Sequence, residues 1–155
     1  MSDSDLRLDF LSWLESKEGL PYCWPCKENN YSGKDLKIAL YKDCYDCSGL
    51  VNAGIWHVTK GRIDNRANWS AQAMFDKLEP VTRPEPGDLA FYGANDGRID
   101  HVMVVVGDGR VYGACKGGRK VTSPDIARSL GARVMYRPNV NYRKDFRGYR
   151  KLKIT

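Results

Sequence analysis

Apolar positions recur with a helical period in the first half of this chain and with a strand-like period in the second. In residues 5–17, Leu6, Phe10, Leu11 and Leu14 line one side of a predicted helix, with Asp3 or Ser4 to cap its start and Gly19 after its end. Behind Asp46-Cys47-Ser48-Gly49, the positions Leu50, Val51, Ile55 and Val58 repeat near i, i+1, i+5 and i+8. They predict a second helix to about Lys60, capped by Asp46 and stopped by Gly61. Ser70 is placed to cap a short third helix carrying Ala71, Met74, Phe75 and Leu78. Between the first two helices lie a turn-rich, aromatic stretch from Gly19 to Cys26 and a polar loop over 27–43.

After Pro80, Pro84, Pro86 and Gly87 the period changes. Leu89 to Tyr92 is a short apolar run, and His101 to Val106 is apolar on both faces, as a central strand covered on both sides requires. Gly107-Asp108-Gly109 reads as a hairpin loop into Arg110–Cys115, which sets Val106 opposite Arg110 and His101 opposite Cys115. Ser123-Pro124 opens a single helix that Gly131 closes after Leu130. Ala132–Arg137 predicts another strand, and Tyr149–Ile154 an edge strand. Helices followed by antiparallel strands predict an α+β fold, N-terminal helices packed on a central antiparallel sheet.

Composition narrows the picture. A chain of 155 residues with 42% apolar and 28% charged positions is expected to be one domain, 1–155, with a basic C-terminal extension from about 138 to 155. The acidic, polar start at Met1-Ser2-Asp3-Ser4-Asp5 is unlike a secretory signal, which leads to the expectation of synthesis in the cytoplasm and action after release or injection. Net charge is +6, and the seven basic residues from Arg137 to Lys153 face only Asp145. That tail suits a polyanion, whether nucleic acid, anionic lipid such as an outer-membrane surface, or an acidic wall polymer; a solvated strand explains it equally well. No nucleic-acid partner, no cofactor and no metal is expected, and the chain is expected to act as a monomer.

Cys47 falls in the first turn of its helix, where the macrodipole and free backbone N–H groups favour the thiolate. A thiol nucleophile needs a base, and the sequence has two histidines. His57 lies ten residues along the same helix, about 80° off the Cys47 direction and about 15 Å up the axis, out of reach. His101 begins the most apolar strand after a polar turn, so it can sit at the sheet rim. Cys47 and His101 therefore form a candidate nucleophile–base pair joined by folding.

Four segments, in order, resemble the NlpC-type cell-wall peptidases, a papain-like family. They are Pro21-Tyr22-Cys23-Trp24, Asp46-Cys47-Ser48-Gly49-Leu50-Val51, Pro86-Gly87-Asp88-Leu89-Ala90-Phe91, and His101-Val102 running to Gly107-Asp108-Gly109. The resemblance covers about residues 8–137. It implies a papain-like fold and hydrolysis of peptidoglycan stem peptides, typically at the D-γ-glutamyl–diaminopimelate bond. By position it makes Cys47 the nucleophile and His101 the base, and it puts Tyr22, Asp46 and Ser48 in the substrate groove, the last two suited to a peptide amine. Bacterial peptidoglycan is then the partner, and a phage endolysin or similar bacteriolytic enzyme fits the composition.

Two features depart from that pattern. The family's third polar residue, which orients the imidazole, matches Gly113, so a dyad without a side-chain third member is expected, the ring held by a carbonyl or water. The pairs Cys23-x2-Cys26 and Cys44-x2-Cys47, seventeen residues apart, also fit a four-thiolate zinc site. The alternatives are therefore a zinc-binding module with a nucleic-acid or interaction role, and an amidase or acyltransferase on the same fold.

Overall fold

The computed structural model describes residues 2–24, 44–66, 69–94 and 96–155. The expected 27–43 loop and Cys26 lie outside the described residues. Among the described residues, four α-helices precede or interrupt a six-stranded antiparallel sheet: α1 (Asp3–Glu15), α2 (Cys47–Val58), α3 (Ala71–Lys77), β1 (Pro80–Val81), β2 (Leu89–Gly93), β3 (Ile99–Val105), β4 (Val111–Cys115), α4 (Pro124–Leu130), β5 (Arg133–Arg137) and β6 (Phe146–Arg150). The strand order is β1-β6-β2-β3-β4-β5. The α+β expectation therefore holds.

Each helix starts where a short polar side chain can take an orphan backbone N–H. Ser2, rather than Asp3 or Ser4, caps α1 in a capping box with Asp5. Asp46, Ser70 and Ser123 cap α2, α3 and α4. Gly131, in the left-handed region at φ +69°, closes α4. Helices α1 and α2 approach so closely at Gly54 that a Cβ there would stand 2.8 Å from the Phe10 ring.

The alternation along β3 divides the interior. Val102 and Val104 face the helix layer with Leu6, Phe10, Leu50 and Val51, while Met103 turns to a second cluster with Ala90, Tyr92, Val111 and Cys115. Both faces of the strand are thus covered. The hairpin register is the expected one, with Val104 opposite Tyr112, Val105 opposite Val111, and the Val106 N–H donating to the Arg110 carbonyl at 3.0 Å.

Two expectations need correction. The C-terminal strand is Phe146–Arg150 and lies inside the sheet between β1 and β2, not at its edge. Its aromatic residues Phe146 and Tyr149 pack on the second cluster, and Leu152 and Ile154 are buried in the first. The basic extension is consequently part of the fold. Arg147 Nε donates to the Gly93 carbonyl at 3.0 Å, and Arg150 lies 3.6 Å over the Phe75 ring.

Asp88, from the Pro86-Gly87-Asp88 segment, ties these parts together. Its Oδ1 accepts from buried Arg7 at 2.9 Å and from the Leu152 N–H at 2.9 Å, and its Oδ2 from the Glu85 N–H at 2.8 Å. The carboxylate thus joins α1, the turn into β2 and the chain after β6.

Candidate active site

The start of α2 and the start of β3 meet at a cavity of about 400 Å³, whose walls include Tyr22, Asp46, Cys47, Ser48, Asp100 and His101. All five residues singled out in the sequence are therefore brought together. Trp24 and Arg119 form another part of the wall, the guanidinium 5.6 Å from the indole centroid. Gln72 of α3 braces the start of β3, its Oε1 accepting from the Ile99 N–H at 2.7 Å.

Local chemistry fixes the cysteine. Asp46 Oδ1 accepts from the Gly49 N–H at 2.6 Å, which anchors the first turn of α2 and holds Cys47 at its opening. Tyr22 is placed by a bridge to Tyr45 and by the close approach of Gly117, where a Cβ would stand 2.1 Å from the phenol ring. His57 points elsewhere, stacked on Trp13 with ring centroids 4.8 Å apart.

Burial changes the expected ionisation. The Cys47 thiol is pushed up to about 12, first by burial and then by the charge of Asp46, against backbone N–H bonds from Val102 and Ser48 that favour the anion. The His101 imidazole is pulled down to about 3, first by burial and then by Arg143, while Asp145 acts the other way. Desolvation thus outweighs the helix-start effect and favours the neutral form of each group.

The imidazole does have a side-chain partner, and it is not on β4. Gly113 has no room for one, since a Cβ there would stand 2.9 Å from Met103 Sδ. Instead Tyr142 Oη lies 2.8 Å from His101 Nε2. Tyr142 sits on a single 3₁₀ turn, Val140–Tyr142. That turn is pinned by Tyr92 Oη donating to the Val140 carbonyl at 2.7 Å, and the two phenol rings meet edge to face at 5.4 Å. The sequence signal for this contact is weak: an aromatic residue in a polar stretch, 41 positions from the histidine.

The described cysteines differ in state. Cys44 is disulfide-bonded, whereas Cys23, Cys47 and Cys115 are free and buried. A zinc site needing Cys44 as a thiolate is therefore not formed, because its sulfur is already bonded. Among the described residues no group of three metal-ligating side chains converges.

The NlpC/P60 family model matches residues 19–138. Solved structures with the same fold include the NlpC/p60 domain of the peptidoglycan hydrolase SagA, at 20% identity and TM-score 0.60, over 94% of this chain and 98% of that one. NlpC1 from Trichomonas vaginalis is similar at 17% identity and TM-score 0.66, over 97% of this chain and 45% of that one. The peptidoglycan hydrolase RipB from Mycobacterium tuberculosis is similar at 21% identity and TM-score 0.62, over 99% of this chain and 68% of that one. The chain thus spans nearly all of the SagA domain but less than half of the Trichomonas protein. No curated protein has a matching sequence.

Proposed function

The chain belongs to the NlpC/P60 family of peptidoglycan-hydrolysing cysteine peptidases, and from that premise we propose that Cys47 and His101 cleave a stem peptide through a thioester. The observation that carries this reading is the single cavity into which the first turn of α2 brings Cys47 and the rim of β3 brings His101.

With Nε2 engaged by Tyr142, Nδ1 is the nitrogen left to serve Cys47. It can accept a proton only in the Nε2–H tautomer, with the phenol oxygen as acceptor. In the reaction Nδ1 takes the thiol proton as the sulfur attacks the amide carbon. The imidazolium so formed keeps its Nε2–H bond to Tyr142. N–H groups at the start of α2 face the oxyanion. Nδ1–H then protonates the departing amine, the thioester remains on Cys47, and water activated by the same nitrogen releases the acid. The phenol is a neutral acceptor, so the pair starts uncharged and becomes an ion pair only as the bond to carbon forms.

The proposed target is the D-γ-glutamyl–diaminopimelate bond, with Asp46 and Ser48 toward the peptide amine and Tyr22 along the groove. The proposed setting is a phage endolysin or a similar bacteriolytic enzyme, made in the cytoplasm and acting on the wall after release or injection. Lys151 and Lys153, both exposed, are the tail cations best placed to meet anionic wall polymer. Neutralising both should weaken the salt-dependence of sacculus binding; an unchanged dependence removes the tail from the account.

Incubating purified sacculi with the wild type and with Cys47→Ala, then identifying the new termini, tests the reading. New D-glutamyl carboxyl and diaminopimelyl amino ends made by the wild type alone are expected. Equal release by the variant would end the proposal.

A further inference from the structure

Tyr142 reaches His101 from a segment between β5 and β6 that lies outside the sheet, on a single 3₁₀ turn. Packing holds its phenol ring between Tyr92, edge to face at 5.4 Å, and the Arg137 guanidinium, 4.6 Å from the ring centroid. Ring contacts of this kind are satisfied over a wide range of separations. The hydroxyl is more demanding: its 2.8 Å bond to the imidazole weakens within a few tenths of an ångström or a poor angle.

The next residue supplies the missing constraint. Arg143 grips Asp145 as a fork, Nε at 2.9 Å and Nη2 at 2.5 Å, and the same Nη2 reaches Asp100 Oδ1 at 3.2 Å. Asp100 precedes His101 on β3, and Arg143 follows Tyr142. The ion pair and the imidazole–phenol bond are therefore two ties between the same two segments, one residue apart. Asp145 carries the hold on to β2, since its backbone carbonyl accepts from the Gly93 N–H at 3.1 Å. The guanidinium also stands 5.5 Å from the centroid of the Tyr92 ring. A planar guanidinium can meet two carboxylates and a ring in one geometry, which a lysine ammonium cannot.

We propose that Arg143 is a positioning residue: by clamping Asp145 and Asp100 it fixes the segment that carries Tyr142, and through Tyr142 the tautomer and orientation of His101. This role rests on the Cys47–His101 reading and falls to a residue beyond those that the family model matches. Arg143 and Asp100 also line the cavity that holds Cys47. A direct contact with substrate is therefore the competing role, and it predicts a different result.

Nitrogen NMR of the labelled histidine in the resting protein, and kinetics on the peptide L-Ala-γ-D-Glu-diaminopimelate, test the clamp. Arg143→Gln should turn the Nε2–H tautomer into a mixture and lower kcat about tenfold with KM little changed. Arg143→Lys keeps the charge without the fork and should recover only part of that loss. Asp100→Ala removes the β3 end of the clamp at a side chain already 60% exposed; it should shift the tautomer the same way and lower kcat about threefold. It carries the same readouts if Arg143→Gln does not fold. In Tyr142→Phe, where the hydroxyl is already gone, either change should cost less than about twofold more. Equal losses with and without the hydroxyl, a raised KM at unchanged kcat, full activity in Arg143→Lys, or a tautomer unmoved in both Arg143→Gln and Asp100→Ala would overturn the role. The NMR needs no substrate, so a shifted tautomer in a protein whose wild type cuts no peptide would refute the peptidase reading and keep the clamp.

Discussion

Tyr142 Oη stands 2.8 Å from Nε2 of His101, and the tyrosine lies beyond the residues that the family model matches. The ring of the proposed base is therefore held by a part of the chain outside the shared pattern. Tyr142→Phe keeps the contacts with Tyr92 and Arg137 and deletes only the hydroxyl. We expect kcat to fall about 10- to 100-fold with KM little changed, and the melting temperature to stay within about 3 °C of the wild type. Nitrogen NMR of the labelled histidine should show the Nε2–H tautomer in the wild type and a mixture in the variant. An unaltered tautomer and unaltered kcat would make the hydroxyl a bystander.

The two ionisable groups of the site set opposite limits on stability. Unfolded, the histidine titrates near 6.5 and the cysteine near 9.0; folded, they move to about 3 and about 12. Between pH 6.5 and 3 the unfolded chain binds a proton that the folded one refuses, so stability falls as pH drops. Above pH 9.0 the unfolded chain releases a proton that the folded one keeps, so stability falls as pH rises. Melting temperature should peak between these limits. His101→Gln should flatten the acid arm and Cys47→Ala the alkaline arm. Arms that persist in both variants would assign them to other groups.

Asp88→Ala should cost about 3–5 kcal/mol, because it strands the buried Arg7 charge and deprives the Glu85 and Leu152 N–H groups of their acceptor. Denaturant unfolding measures it. Joint replacement of Arg7 by Met and Asp88 by Leu should recover most of the loss, since the penalty comes from one unpaired charge. A double variant as weak as the single one would place the cost elsewhere.

Gly117→Ala should displace Tyr22, whose ring fills the space a Cβ would need. We expect kcat/KM to drop roughly tenfold. Gly118→Ala is the control, with nothing within 4 Å of its Cβ. Adding Gly117→Ala to Tyr22→Ala should cause little further loss if the two act through one contact. Fully additive losses would separate the glycine from the tyrosine.

Much of this site was legible in the sequence because its chemistry is local. Asp46, Ser70 and Ser123 cap the helices that follow them, and a cap is written within three residues of the N–H it satisfies. The two-faced apolar run of β3 and the Gly107-Asp108-Gly109 turn set the hairpin and brought His101 to the rim. The partner of His101 was not legible. It is joined to the ring by tertiary packing alone, and a stretch with no helical or strand period surrounds it. The ionisation state was misjudged for a related reason. A helix start can be seen in sequence, whereas the burial that overrides it depends on what else packs there. The place of β6 was hidden by its arginines, which reach out along their stems to carbonyls and rings while the backbone sits within the sheet.

That place in the sheet has a consequence for biosynthesis. β2 can pair with β3 early, but it lacks its other neighbour, and β1 lacks its neighbour, until residues 146–150 have left the ribosome, and Tyr142 precedes them by only a few positions. A nascent chain that already displays Cys47 and His101 still lacks the strand and the phenol that complete their surroundings. The surroundings of Cys47 and His101 are thus completed only after β6 and the 3₁₀ turn before it have been made, well after both residues themselves.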